Sequence, residues 1–274
     1  MEKSLGIFDS GIGGLTVLKE IIRVLPDETT IYLGDTARVP YGTKSASTIR
    51  RYAIEDAHFL IEQGIKLLVV ACNTASANAT SFLRERLDIP IVEVIQPGAR
   101  KAAETTRIGR VGVIGTEATI KSGAYASHIK SINPVIEVFS KACPLFVPLT
   151  EESWDDPDDE IYLANLKALT VKRYLGELKE EGIDTLVLGC THYPLLKDVI
   201  DEFMGDTVTL VDSAEETAQE VLRALDVIQL PKSPEGKGCH RFFVTDVADR
   251  FITLGSRFLG KPLEEVKEVE IKSL

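Results

Sequence analysis

Two stretches decide how this chain is read: Leu67-Leu68-Val69-Val70-Ala71-Cys72-Asn73-Thr74 and Leu186-Val187-Leu188-Gly189-Cys190-Thr191-His192. Each is a short β-rich apolar run followed by a small residue, a cysteine and a polar pair. Successive apolar residues without clean alternation suit strands covered on both faces, as in parallel sheets flanked by helices. Outward from the first stretch, strand-like runs at Leu5–Phe8 and Ile31–Leu33 alternate with helical patterns at Leu15–Leu25 and Ser47–Gln63. Turn residues such as Asp9-Ser10-Gly11 and Glu62-Gln63-Gly64 separate them. This alternation predicts an α/β fold.

The pattern restarts at Arg110-Val111-Gly112-Val113-Ile114-Gly115-Thr116, a strand breaking into a polar turn in the style of Leu5-Gly6-Ile7-Phe8-Asp9-Ser10. The two cysteine stretches, 118 residues apart, echo one another in the same way. Two similar α/β domains of about 100 residues each are therefore expected, each a mostly parallel sheet flanked by helices. The first would comprise 1–96 and 210–274, with a helix over Ser213–Leu225, a polar loop at Pro231–Gly238 and a strand at Arg241–Thr245. The second would comprise 97–209. In open α/β sheets ligands bind beyond the carboxyl ends of strands, so two facing units would aim Cys72 and Cys190 into one cleft.

Composition sets limits on partners. The 274 residues are 44% apolar, enough to build substantial cores, and carry a formal net charge of −11 with no basic tract to neutralise phosphates. Nucleic acid is not an expected partner. No apolar run approaches the roughly 20 residues that span a bilayer, and no signal peptide is visible, so a cytosolic protein without membrane association is expected. An acidic ligand would need local donors to overcome the global field. The four cysteines, at 72, 143, 190 and 239, form no metal-binding spacing.

Reactive cysteines act as thiolates, and a helix N-terminus favours that form. Both strand-end cysteines precede helix-compatible residues, with Pro194 suited to a first turn after Cys190. Two thiols across a cleft suit inversion of a stereocentre, where one face loses a proton and the other gains one. A carbanion-like transition state also needs donors to the substrate carboxylate and groups that set each thiol's protonation. Asp9 and His192, expected at the same cleft edge, are candidates for the latter.

Gly6-Ile7-Phe8-Asp9-Ser10-Gly11-Ile12-Gly13-Gly14, Tyr32-Leu33-Gly34-Asp35-Thr36-Ala37-Arg38-Val39-Pro40-Tyr41-Gly42, Ala71-Cys72-Asn73-Thr74-Ala75 and Leu188-Gly189-Cys190-Thr191-His192-Tyr193-Pro194 resemble, in order, the motifs of the glutamate racemases of the aspartate/glutamate racemase superfamily. The resemblance spans nearly the whole chain. It implies interconversion of L- and D-glutamate without pyridoxal phosphate, another cofactor or a metal, supplying D-glutamate to peptidoglycan precursors, in a protein that forms a homodimer. It implies that Cys190 takes the proton from L-glutamate while Cys72 donates to the other face, assisted by His192 and Asp9 respectively. Asp9, Ser10, Pro40, Tyr41, Gly42, Asn73, Thr74, Thr191 and His192 are implied as substrate contacts. A second acidic helper falls at Pro148-Leu149-Thr150-Glu151, where Thr150 and Ser153 depart from the family pattern; Glu151 is the candidate and Glu152 its rival.

Other features read more simply. Gly11-Ile12-Gly13-Gly14 lacks the Lys-Ser/Thr ending of a nucleotide loop, so its glycines are expected to permit a tight turn and close approach to a small ligand. Cys143, Cys239, His58, His128 and His240 are expected to pack or face solvent. The acidic run from Glu151 to Glu160 lacks the spaced glycine of a calcium loop and suits a solvated helix start. A thiol redox protein or a pure binding module fits less well, because a bonded sulfur pair leaves no room for substrate between them. Spacing alone leaves glutamate and aspartate open as substrates; only the motifs favour glutamate.

Overall fold

The parallel pairing of Leu5–Asp9 with Thr30–Gly34 and of Leu5–Phe8 with Leu67–Val70 sets the centre of the first sheet. The computed structural model describes residues 4–152, 157–229, 238–263 and 265–272, without the side chains of 157–160. Its first half runs β1 (Ser4–Asp9), α1 (Leu15–Val24), β2 (Thr30–Gly34), α2 (Ala46–Glu62), β3 (Ile65–Val70), α3 (Asn73–Arg84), β4 (Ile91–Glu93), α4 (Ile95–Thr105), β5 (Arg110–Gly115), α5 (Glu117–Ser122), α6 (Ala124–Ile132) and β6 (Glu137–Ala142). There follow α7 (Phe146–Glu151), α8 (Pro157–Glu180), β7 (Thr185–Gly189), α9 (Lys197–Met204), β8 (Thr209–Asp212), α10 (Ser213–Val227), β9 (His240–Val244), α11 (Ala248–Leu259) and β10 (Val266–Glu268).

Among the described residues the strands form two sheets, ordered β10-β9-β2-β1-β3-β4 and β6-β5-β7-β8, with every pairing parallel. The α/β reading holds, with helices covering both sheets. Successive side chains point to opposite faces of a strand, and the cores divide accordingly. Leu67 and Val69 pack with α1, α10 and α11, whereas Leu68 and Val70 pack with Ile49, Ala53 and Ala57 of α2 and Ala75 of α3. The first of these cores continues into the second sheet through Val111, Val113, Val187 and Val211, so one apolar layer joins the two units. Ile114, Leu186 and Leu188 face the other way, toward α8 and α9. Each such fully buried side chain stabilises by about 1.5–3 kcal/mol.

One boundary differs from expectation. Residues 210–212, placed with the first unit from sequence, lie in β8, which pairs with β7 in the second sheet. Helix α10 then crosses back, burying Ala218, Val221 and Leu225 in the shared core, and β9 and β10 complete the first sheet beside β2. A four-residue strand carries too little pattern to reveal its partner. Ser153, the acidic residues through Asp156 and the loop over 231–237 lie outside the described residues.

Strand order reverses between β1 and β3 in one sheet and between β5 and β7 in the other. Such switch points open a crevice at the carboxyl ends, where ligands bind. Asp9 and Cys72 sit at the first, Thr116 and Cys190 at the second.

Candidate active site

Cys72 and Cys190 line one cavity of about 340 Å³, within the size range of small-molecule sites. Its wall combines residues of the first unit (Ser10, the Val39–Thr43 loop, Asn73, Thr74) with residues of the second (Thr116, Glu117, Pro144, Val147, Pro148, Glu151, Thr191, His192). Among the described residues no lysine or arginine faces it. An anionic ligand there must be held by hydroxyls, amides and the backbone N–H groups at the start of α3.

Cys72 lies two residues beyond β3 and caps α3: its Sγ accepts the Ala75 N–H at 3.5 Å and lies 3.7 Å from Ser10 Oγ. The helix end does not make it a ready thiolate. Burial, then the neighbouring Asp9 carboxylate, push the thiol up to about 12, so it holds its proton. Asp9 lies beneath Cys72 at 1% exposure, with Oδ2 accepting the Gly11 N–H at 2.9 Å and Oδ1 unpartnered among the described residues. Burial raises its pKa against the opposing charge of His192. Asp9, expected as a substrate contact, lies behind the cavity's lining residues and faces the thiol.

Cys190 is arranged differently. The helix start expected after it, with Pro194 in the first turn, is a 3-10 turn over Tyr193–Leu196 that leads into α9. The Tyr193 N–H, counterpart of the Ala75 N–H at Cys72, donates to the Cys190 carbonyl at 3.1 Å, and among the described residues no backbone N–H caps the sulfur. Its neighbour is instead His192, whose Nδ1 lies 4.0 Å from Cys190 Sγ and whose Nε2 lies 3.0 Å from Glu151 Oε1. Burial disfavours charge on this ring, but bonds to Cys190 and Glu151 outweigh it and raise His192 to about 10. Glu151 is held below the ordinary carboxylate range: burial opposes this, and the bond from His192 and the charge of Arg250 prevail. Of the two carboxylates considered from sequence, Glu151 reaches the imidazole, whereas Glu152 is exposed.

Two residues of α11, a first-sheet helix, touch this pair. The Arg250 guanidinium donates to Glu151 Oε2 at 3.3 Å, and the Phe258 ring meets His192 edge-on at 5.2 Å and 78°. From the same side, Thr16 Oγ1 donates to the Thr191 carbonyl at 3.0 Å. Sequence offered no signal for Arg250 or Phe258, because α11 lies far along the chain from both partners.

The Pro40-Tyr41-Gly42 loop lines the cavity as expected, but the Tyr41 hydroxyl is committed elsewhere. It donates to Asp35 and, at 3.0 Å, to Asp56, within a buried cluster bridged by Arg38. Gly42 passes so near the second unit that a Cβ there would lie 2.8 Å from Thr116 Cβ. Thr116 is a lining residue the sequence reading missed. Its hydroxyl is 2.9 Å from those of both Thr74 and Thr119, and its position after β5, matching the two cysteines, was the available signal. Cys143 is fully buried among Ile114, Phe146 and Tyr193, a packing position.

The profile of the family described as Asp/Glu/Hydantoin racemase matches residues 13–221. A curated relative, the glutamate racemase of Geobacter metallireducens, is 59% identical over 271 residues, 99% of this chain and 98% of that protein. The crystal structure of glutamate racemase isoform RacE1 from Bacillus anthracis superposes with a TM-score of 0.90 at 40% identity, covering 98% of each chain. That of glutamate racemase from Francisella tularensis in complex with D-glutamate superposes at 0.89 and 38% identity, covering 100% of this chain and 99% of the other.

Proposed function

The chain belongs to the Asp/Glu/Hydantoin racemase family and is an amino-acid racemase, and from that premise we propose that it interconverts L- and D-glutamate by exchanging protons between the substrate α-carbon and the thiols of Cys72 and Cys190. The observation that carries this reading is the placement of the two sulfurs at the switch points of two different sheets, on one cavity. The names of the relatives, and the D-glutamate held by the Francisella protein, support glutamate over aspartate.

In the L-to-D direction, deprotonated Cys190 takes the α-proton while Cys72, which holds its proton in this state, delivers one to the opposite face. Each sulfur has then exchanged its protonation state, and the reverse reaction starts from that arrangement. His192, backed by Glu151, holds positive charge beside Cys190; Asp9 faces Cys72 and can hand it a proton after an L-to-D turnover, or take one from it before a D-to-L turnover, exchanging with solvent in each case. The negative charge developing on the substrate carboxylate meets donors at Asn73, Thr74 and the start of α3. Both proton transfers are served by side chains, so the scheme calls for no cofactor. D-glutamate made this way would feed peptidoglycan synthesis in the cytoplasm, and we propose a homodimer as the working form. Among the described residues no helix is long and apolar enough to cross a membrane.

The test is purified protein with L-glutamate in deuterated water and no added cofactor, following optical rotation and α-deuterium, beside Cys72→Ser and Cys190→Ser. Racemisation by the wild type with loss in both variants supports the two-thiol reading. Activity on aspartate alone moves the substrate, and an active single-cysteine variant overturns the mechanism.

A further inference from the structure

We propose that Tyr125 is a positioning residue for this site: from α6 it sets the side-chain amide of Asn73 so that Nδ2 faces the substrate as a donor. The inference rests on the proposed racemase reading and adds a residue that the motifs do not contain.

Asn73 opens α3 directly after Cys72, is 2% exposed and lines the cavity. Its Oδ1 accepts from the Tyr125 hydroxyl at 2.7 Å, while its Nδ2 is buried and has no hydrogen-bond partner among the described residues. A side-chain amide has two orientations related by a flip, and its partners decide between them. Burial keeps the phenol of Tyr125 protonated, so it has a proton to place, and the amide oxygen receives it. That leaves two N–H donors with no acceptor in a buried position, an arrangement that costs free energy until something accepts from them. A carboxylate, which only accepts, meets that need; the flipped amide would turn its oxygen toward the carboxylate and repel it.

The bond also crosses the molecule. Tyr125 belongs to the helical layer over the second sheet and Asn73 to the first, so the amide is set only while the two units are apposed. Room for the tyrosine ring comes from Gly189, the residue before Cys190: a Cβ there would lie 3.0 Å from Tyr125 Cε2. One strand end therefore presents the catalytic sulfur and seats the ring that orients the opposite wall.

Tyr125→Phe in the full-length protein keeps the ring and removes only the hydroxyl. We expect KM for both enantiomers to rise about five- to tenfold with kcat within about twofold, as for loss of one oriented hydrogen bond in binding. In an Asn73→Ala background the same change is expected to have no further effect on KM, because there is no amide left to orient. An unchanged KM in Tyr125→Phe, or an equal rise in the Asn73→Ala background, overturns the inference while the wild-type activity leaves the racemase reading standing. Calorimetric binding of D-glutamate reads the same variants without turnover, with Kd expected to rise by the same factor. A wild type that binds glutamate without racemising it removes only the catalytic reading; one that does neither overturns both.

Discussion

The ring of His192 occupies the space that a side chain at Gly13 would need: a Cβ at Gly13 would lie 2.5 Å from His192 Nδ1 and 2.2 Å from Thr191 Oγ1. The glycine-rich turn after β1 was expected to let the backbone approach a ligand. At Gly13 it admits the Cys190–His192 loop of the other unit instead. Gly13→Ala is therefore expected to displace that loop and lower kcat/KM by about a hundredfold, the cost of misplacing a catalytic group by about 1 Å, with a stability loss of about 1–3 kcal/mol from overpacking. Steady-state kinetics beside urea unfolding checks it; activity within threefold of wild type would show that the loop yields at no cost.

His192 links stability to pH. Its pKa is raised from 6.5 to about 10 in the folded protein, so the folded state binds this proton more tightly than the unfolded chain. The resulting stabilisation is complete below 6.5 and disappears as pH climbs through about 10. The urea midpoint of the wild type should exceed that of His192→Asn most at the acid end of this window, and the gap should narrow toward its alkaline end. A gap that widens with pH would contradict the charged imidazole.

Arg250 should act on activity without holding the fold. Its side chain is 63% exposed, so losing its ion pair with Glu151 should change stability by less than about 1 kcal/mol. Because Arg250 helps keep Glu151 low, Arg250→Gln lets that carboxylate take up a proton at higher pH. The acid limb of kcat/KM should then move to higher pH, and Arg250→Lys should move it back. An unmoved limb in Arg250→Gln would confine Glu151's control to His192.

Lys66 and Glu28 form the opposite kind of pair, 2.7 Å apart with side chains 2% and 3% exposed. Lys66→Met takes a close cation from a buried carboxylate, so it should destabilise by about 3–5 kcal/mol in urea unfolding, with KM for glutamate unchanged in the surviving folded fraction. A loss below about 1 kcal/mol would mean that Glu28 finds other compensation.

The sequence by itself carried the fold class, the two-unit plan and the sulfurs. Runs such as Leu67–Val70 and Leu186–Leu188 are apolar on both faces, which only a covered parallel strand tolerates, and the residue ending such a strand falls at a ligand-binding edge whatever the packing around it. Ser10, Asn73, Thr74, Thr191 and His192, named as substrate contacts through the resemblance of the motifs, all line the cavity that holds the sulfurs. The sheet to which the four-residue β8 belongs was not legible, nor was β6, Glu-Val-Phe-Ser-Lys-Ala, an edge strand with polar positions and little burial.

Only the tertiary structure decided which polar groups meet. Glu151 lies 41 residues from His192, Arg250 lies 99 from Glu151, and Tyr125 lies 52 from Asn73. Periodicity records which face of an element is apolar, but the partner of a charge or an amide depends on how separate elements are stacked. The environments of the two thiols followed from that stacking: Cys72 buried over a carboxylate at a helix end, Cys190 beside an imidazole before a 3-10 turn. Two similar strand ends in sequence thereby became chemically distinct, because burial and neighbouring charge, which act through space, set what each sulfur does.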